Sequence, residues 1–565
     1  MISTVLEHAS VGGTLTALQQ QGWEVDLLDI QRDGTIDLEQ LGDLLRKDTI
    51  LVSVCAVDSE LGTVQPIRQI TEILKDFPNC RLHVDATQAI GKTELVMDGV
   101  DTMSIAPHKF YGLNGSGPAP ALLTRDKVLA AGHSEMPQRG WIPVTVPGAV
   151  SAWAELHRRF GRLPFAKLFE PAIEYARDGF PVSPIAGKLW KAAETTFAPF
   201  RDDPAFAGFF STFLPTGSAP EVGETVAFPD HARTLERLAQ TGGEAFYRGE
   251  LADKIDQFSR ATGGYLRKED LAGYRAQWVD PIRTDYRGYD VWEIPPNGHG
   301  ITALMALNIM KGFHLDSRET LDSYHKQIEA MKLAFSDARH YVADPRFMHA
   351  RVEDLLSQDY ADQRRSLIGD RALEPRWGKP FSGGTVYLCT ADGEGNMVSF
   401  IQSNFRGFGS GMVIPGTGIA LNDRGNNFSL DPAMDNCLAP GKKPYHTIIP
   451  GFLTKDGKAV GPFGVMGGFM QPQGHLQVIL NTLDFHMNPQ AALDAPRWQW
   501  IEGKKVEVEA QVDPAIIEGL RARGHEIVVK QDRSTFGRGQ IIWRREDGTL
   551  VGATEGRTDG TVAAY

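Results

Sequence analysis

The chain has 565 residues, 42% hydrophobic and 23% charged, and its 58 basic and 71 acidic side chains give a formal net charge of −13. Such a length and balance describe a folded protein with two or more cores and exclude a disordered one. The acidic surplus, with no local run of Lys or Arg, excludes a nucleic-acid footprint and leaves a small molecule as the expected partner.

The chain opens with MISTVLEHASVGG, which lacks a basic stretch followed by an apolar one, and it contains no run of 18 apolar residues. No membrane partner is predicted, and the cytoplasm is the expected location. Cys55, Cys80, Cys389 and Cys437 lie far apart without a CxxC or Cys/His ligand spacing, so no disulfide framework or zinc site is expected. Residues 37–47 (DLEQLGDLLRK) carry apolar positions at helical spacing, Ile50 to Val57 reads as a buried strand, Ile67 to Leu74 as a helix, and Arg81 to Val84 as a second strand. This alternation is the βαβ rhythm of a parallel sheet.

Within that rhythm, HVDATQAIGK (83–92) followed by SIAPHKFYG (104–112) resembles the cofactor-lysine half of the cysteine desulfurases, a fold-type I pyridoxal-phosphate family. The resemblance makes Lys109 the Schiff-base lysine, Asp85 the partner of the pyridine nitrogen, Gln88 a neighbour of the phenolic oxygen and His8 the stacking imidazole. A carboxylate that keeps the ring nitrogen protonated makes the cofactor an electron sink. The fragment, residues 1–112, departs from the family pattern at Ser59, where the family has an asparagine, and at Ala106, where it has a serine. The family's phosphate-cradling loop, small domain and reactive-cysteine loop have no counterpart here.

Beyond Gly112 the sequence changes character. LNGSGPAPA (113–121), EMPQRGWIPVTVPGAVSAWAELHRRFGRLPF (135–165) and AIEYARDGFPVSP (172–184) resemble the gamma-glutamyltransferase large subunit from a little way inside its start, and the likeness continues to Tyr565. It implies an α/β N-terminal nucleophile sandwich, αββα, with a large fragment 113–384 and a small fragment 385–565 produced from one chain. The family's front helix and glycine-rich strand are replaced by the desulfurase-like fragment. The join has no Pro/Ser/Gly-rich spacer and cuts both partners inside their cores.

TVYLCTAD (385–392) and NMVSFIQS (396–403) read as two strands joined by a DGEGN turn, with Thr385 at the start of the first. A threonine hydroxyl is a poor nucleophile until a base removes its proton. Cleavage of the Gly384–Thr385 bond would free an α-amine of reference pKa about 7.7–8.0 on the same residue. Gly383 and Gly384 suit that step because they let the backbone expose the scissile carbonyl. By the resemblance, Gly467 and Gly468 in GVMGGFMQPQGH (464–475) supply the oxyanion hole, just before the helical QGHLQVILNTL (473–483), and Ser403 hydrogen-bonds the nucleophile.

The substrate positions depart from the gamma-glutamyl pattern. The arginine of the family's DGRExAP run, which grips an α-carboxylate, is Ser116, and the acidic residue of its NNxxDDF run, which meets an α-amine, is Asn427. The serine pair of PLSSMSP is His446-Thr447, and the asparagine after the hairpin is Phe405. A serine cannot replace a bidentate guanidinium clamp, although Arg406 and His446 remain available to an anion. The pocket is therefore expected to take an acyl donor other than glutathione, such as a dicarboxylic half-amide. The main activity needs no metal or organic cofactor, and pyridoxal phosphate belongs only to the N-terminal resemblance. Three readings follow: an amidohydrolase or acyltransferase built on Thr385, a pyridoxal-dependent sulfur-transfer enzyme, or a chimera in which neither half works.

Overall fold

Parallel strands separated by helices form the first part of the chain. In the computed structural model, which describes residues 1–7, 9–57, 63–86, 99–104, 111–375 and 384–565, two units separate at Phe110 and Tyr111. In the first, β1 (Ile2–Thr4), β2 (Asp26–Leu28), β3 (Leu51–Cys55), β4 (Arg81–Asp85) and β5 (Thr102–Ser104) form an all-parallel sheet in the order β2-β1-β3-β4-β5. Val52, Val54, Leu82 and Val84 are buried in it, as expected of strands covered on both faces. The helix Leu38–Leu44 starts where the sequence places it because the Asp37 carboxylate accepts hydrogen bonds from Glu39 N at 3.0 Å and Gln40 N at 3.1 Å. The helix Ile67–Leu74 turns Ile67, Ile70 and Leu74 toward the sheet, a spacing that puts them on one face.

The second unit is built on an antiparallel six-stranded sheet. In spatial order its strands are Ile282–Tyr286, Tyr289–Glu293, Gly451–Lys455, Lys458–Met466, Arg538–Arg544 and Leu550–Thr554. Successive residues of the strand Lys458–Met466 serve opposite faces. Val465 meets Gly474 of the helix Met470–Leu483, where a Cβ would lie 2.5 Å from Val465 Cγ1, whereas a Cβ on Gly464 would lie 2.5 Å from the Tyr387 ring. The helices Gly300–Met310 and Leu321–Tyr341 complete the layer on the Val465 side, and the first is buried at every position.

The Tyr387 side is covered by the expected hairpin, Gly384–Ala391 paired with Met397–Phe405. Its turn is closed by the Asp392 carboxylate, which accepts from Glu394 N at 3.0 Å and Asn396 N at 2.9 Å. Thr385 and Tyr387 face inward, each 6% exposed, while Val386 and Leu388 face outward at 61% and 43%. On that outer face Trp153, in the helix Ala149–Phe160, donates its indole N–H to Gln402 Oε1 at 3.0 Å. The layers are thus helix, sheet, sheet and helix, the second sheet having two strands among the described residues.

The helix predicted for 473–483 begins earlier, at Met470. Pro472 lacks an N–H, but first-turn N–H groups have no partner within a helix, so proline is tolerated there.

Candidate active site

Thr385 is held at the inner start of the hairpin, and its Oγ1 donates to Ser403 Oγ at 3.1 Å. The pairing brings together two residues 18 apart in sequence, and Ser403 Oγ also accepts from Phe405 N at 2.7 Å. Phe405 is fully buried with φ +80, a left-handed conformation costly for a bulky residue, so the strand ends in a tight bend at this point. In place of a polar atom, Phe405 offers an aromatic face that lies 5.0 Å from Arg424 Cζ and 5.2 Å from Arg406 Cζ.

Gly467 and Gly468 follow the strand Lys458–Met466 with φ values of +142 and +60, and a Cβ on Gly467 would come within 3.1 Å of Gly537 Cα. Their carbonyls accept from Met470 N and Gln471 N at 3.1 and 3.2 Å, so the 14-residue helix Met470–Leu483 starts on this pair. Its partial positive end favours negative charge near the two glycines.

Ser116 and His446 come together through Asn297, and Thr447 is held by Arg424. Ser116 Oγ lies 2.6 Å from Asn114 Oδ1 and 3.0 Å from Asn297 Oδ1, which commits its proton within the protein. Asn297 O accepts from His446 N at 2.9 Å, and Thr447 Oγ1 accepts from Arg424 Nη1 at 2.7 Å. Burial, reinforced by the nearby Arg424, His299 and Lys443, keeps His446 uncharged, far below the usual imidazole range. Asn427 stands on the same short turn as Arg424, and among the described residues its Nδ2 meets no acceptor.

Sequence reasoning missed Asp423, Arg424, Arg139 and Asn297. Asp423 is buried, accepts from Arg406 N at 3.1 Å through Oδ1, and lies 3.0 Å from Arg139 Nη1 through Oδ2. Desolvation raises its pKa to about 6 against the pull of that backbone hydrogen bond and of Arg139, Arg406 and Arg424. An adjacent acid-base pair in a loop reads as a solvated surface pair, and the residues that bury it are distant in sequence.

Of the four residues expected around a pyridoxal ring, His8, Gln88 and Lys109 lie outside the described residues. Asp85 ends β4, buried, beside Glu7, whose carboxyl is raised to about 7 by burial first and then by Asp85.

A helix-sheet-sheet-helix sandwich with a threonine opening the inner hairpin defines an N-terminal nucleophile hydrolase. The chain belongs to the gamma-glutamyltranspeptidase family, whose model matches residues 98–565, and it is a hydrolase of that kind. A class-V aminotransferase model matches residues 1–133, consistent with a fusion. The chain is similar to the Glutathione hydrolase-like YwrD proenzyme of Bacillus subtilis (strain 168), with 36% identity over 79% of this chain and 85% of the relative. It is also similar to the Oxamate amidohydrolase proenzyme of Klebsiella pneumoniae, with 34% identity over 80% of this chain and 87% of the relative. Among solved structures, the cephalosporin acylase from Bacillus halodurans matches with 59% identity and a TM-score of 0.79, over 81% of this chain and 85% of that one. Among the described residues no helix is long and apolar enough to cross a membrane.

Proposed function

We propose that the chain is a self-cleaving amidohydrolase that uses Thr385 to open amides whose acyl part ends in a carboxylate. The observation that carries this reading is the hydrogen bond from Thr385 Oγ1 to Ser403 Oγ, 3.1 Å long, at the buried start of the hairpin. In the precursor, Thr385 Oγ attacks the Gly384 carbonyl and the C–N bond breaks, which frees the Thr385 amine and leaves Gly384 as an ester on Oγ; water then hydrolyses that ester to the Gly384 carboxylate and the free Thr385 hydroxyl. In turnover that amine takes the Oγ proton as Oγ bonds to the substrate carbonyl carbon. The tetrahedral oxyanion is held by the N–H groups of Gly467 and Gly468, and its collapse expels the amine, which leaves with the proton. Water, deprotonated by the same amine, then releases the acid; an amine acceptor in its place gives transfer.

No metal or organic cofactor enters this scheme. The large and small fragments stay together as one folded unit, and the four free cysteines suit a reducing compartment, the cytoplasm. A carboxylate-terminated acyl donor is supported by Ser116 and Asn427, which stand where charged groups would hold a zwitterionic glutamyl head. Oxamate, named for one relative, is itself a dicarboxylic half-amide.

The test is a denaturing gel with N-terminal sequencing, followed by assay of gamma-glutamyl, glutaryl and oxamate amides. The expected result is a small fragment beginning TVYLC, absent in Thr385→Ala, with the glutaryl or oxamate amide preferred. A single 62 kDa band that persists on long incubation refutes the proposal.

A further inference from the structure

Three arginines, the buried Arg424 and the half-buried Arg139 and Arg406, surround the single carboxylate of Asp423. Their side chains are 13%, 10% and 3% exposed, and that of Asp423 is fully buried. Arg139 Nη1 is committed to Asp423 Oδ2 at 3.0 Å and Gly409 O at 2.8 Å, and Arg406 Nη2 donates to Asn426 Oδ1 at 3.0 Å. Arg424 differs in the pair of adjacent donors it leaves over. Its Nη1 donates to Thr447 Oγ1 at 2.7 Å, but among the described residues its Nε and Nη2 meet no acceptor.

Nε–H and Nη2–H form the side edge of a guanidinium, two parallel donors spaced to match the two oxygens of a carboxylate. An unpaired buried donor is costly, a buried unpaired cation more so, and three cations around one anion leave this pocket short of negative charge. Arg424 is also tied to the hairpin that carries the nucleophile. Arg424 Cζ stands 5.0 Å from the ring of Phe405, whose N–H bonds the same Ser403 Oγ that accepts from Thr385.

We propose that Arg424 fixes the terminal carboxylate of the acyl donor through its Nε and Nη2, and so sets the specificity of the site. This rests on the reading of the chain as a Thr385 amidohydrolase. It identifies the donors as half-amides of short dicarboxylic acids. Ser116, whose hydroxyl is committed to Asn114 and Asn297, takes no part in the clamp. An ammonium group adjacent to the carboxylate, as in a gamma-glutamyl donor, is disfavoured, because the surplus arginines repel it and neutral His446 provides no counter-charge.

The test has a binding arm and a turnover arm. In the first, glutarate binding to the full chain is measured by calorimetry, with L-glutamate as the same dicarboxylate carrying an ammonium group. Glutarate is expected to bind at least tenfold more tightly than L-glutamate, and Arg424→Gln to lose that preference. In the second, self-processed protein is assayed on glutaryl-p-nitroanilide and on the uncharged butyryl-p-nitroanilide. Arg424→Gln is expected to raise KM for the glutaryl anilide 10- to 100-fold, a loss at least tenfold greater than it causes on the butyryl anilide. Arg424→Lys, which keeps the charge but not the fork, should fall between the two.

Equal binding of glutarate and L-glutamate by the unmutated chain overturns the proposal, even if Arg424→Gln does not fold. Equal losses on the two anilides overturn it as well. Failure of the Thr385 reading looks different: neither anilide is cleaved and no TVYLC fragment forms, while the glutarate preference still reports on Arg424.

Discussion

At the scale of single residues, Ser403 does two jobs whose loss can be told apart. Its Oγ accepts from Thr385 Oγ1, which fixes the direction of the nucleophile's hydroxyl, and from Phe405 N, which holds the bend that ends the strand. Ser403→Ala is expected to slow self-cleavage and kcat by about fivefold, as loss of a hydrogen bond worth about 1 kcal/mol implies. The unpaired Phe405 N–H should lower stability by a further ~1–2 kcal/mol. Ser403→Thr keeps the oxygen and should restore both, so processing rates and melting curves of the two variants give the answer. A Ser403→Ala protein that melts earlier but processes at the normal rate would leave Ser403 a purely structural residue. In the first unit, Glu7 makes a pH argument. Burial raises its pKa to about 7 from the ordinary carboxyl value of 4.5, so between those values the folded state keeps a proton that the unfolded state has lost. Stability therefore falls as pH rises from about 4.5 to 7, by something of order 3 kcal/mol, and is flat in this respect above it. Hydrogen exchange of the Cys55 amide, which donates to Glu7 Oε1 at 2.5 Å, reads that loss directly, and Glu7→Gln should remove it.

At the scale of elements, the hairpin and the strand beneath it meet through a glycine. Gly464→Ala would place a methyl group 2.5 Å from the Tyr387 ring, too close to be absorbed without moving the hairpin. Overpacking of this kind costs ~1–3 kcal/mol, and because Thr385 shares the inward face of Tyr387, self-cleavage should slow as well. A lowered melting midpoint with an unchanged cleavage rate would show that the hairpin's seat on this strand does not position Thr385. The hairpin was legible in the sequence because its signals are local: alternating apolar positions and a DGEGN turn whose aspartate closes the loop. The parallel sheet of the first unit was legible for the same reason. Arg424 was not, because its neighbours Phe405 and Thr447 approach from 19 and 23 positions away, and only folding makes a loop arginine a buried one. His475 likewise reads as one more position in a helix. In the fold its Nδ1 lies 2.6 Å from Glu293 Oε1 and its Nε2 accepts from Val465 N at 3.1 Å, tying helix to sheet. A partner 182 residues away leaves no trace in periodicity.

At the scale of the whole second unit, the end of the chain is locked to the fold by buried charge. Arg557 is fully buried and donates to Glu509 Oε2 and Glu555 Oε1, both at 2.6 Å, while Arg497 Nη2 lies 2.8 Å from Glu555 Oε2. Arg533 reaches Glu509 from a more exposed position at 3.2 Å. The two buried arginines and two buried glutamates balance, and residues near 500 and near the C-terminus are held by one network. Its worth is asymmetric. Removing one member strands a charge away from water, at a cost of ~3–5 kcal/mol, whereas a neutral, well-packed replacement of the group can be nearly without effect. Arg557→Met is therefore expected to lower stability by about that much, seen as a shift of the denaturant midpoint with little change in slope. Glu555→Gln should be destabilising on its own, since it leaves Arg497 without its carboxylate partner and three arginines around Glu509. The double variant Arg557→Met/Glu555→Gln removes one charge of each sign and should be less destabilised than the two single losses added together, by ~0.5–3 kcal/mol. Strict additivity in that cycle would mean that the two side chains, although 2.6 Å apart, contribute independently, and the C-terminal segment would then owe its place to packing alone.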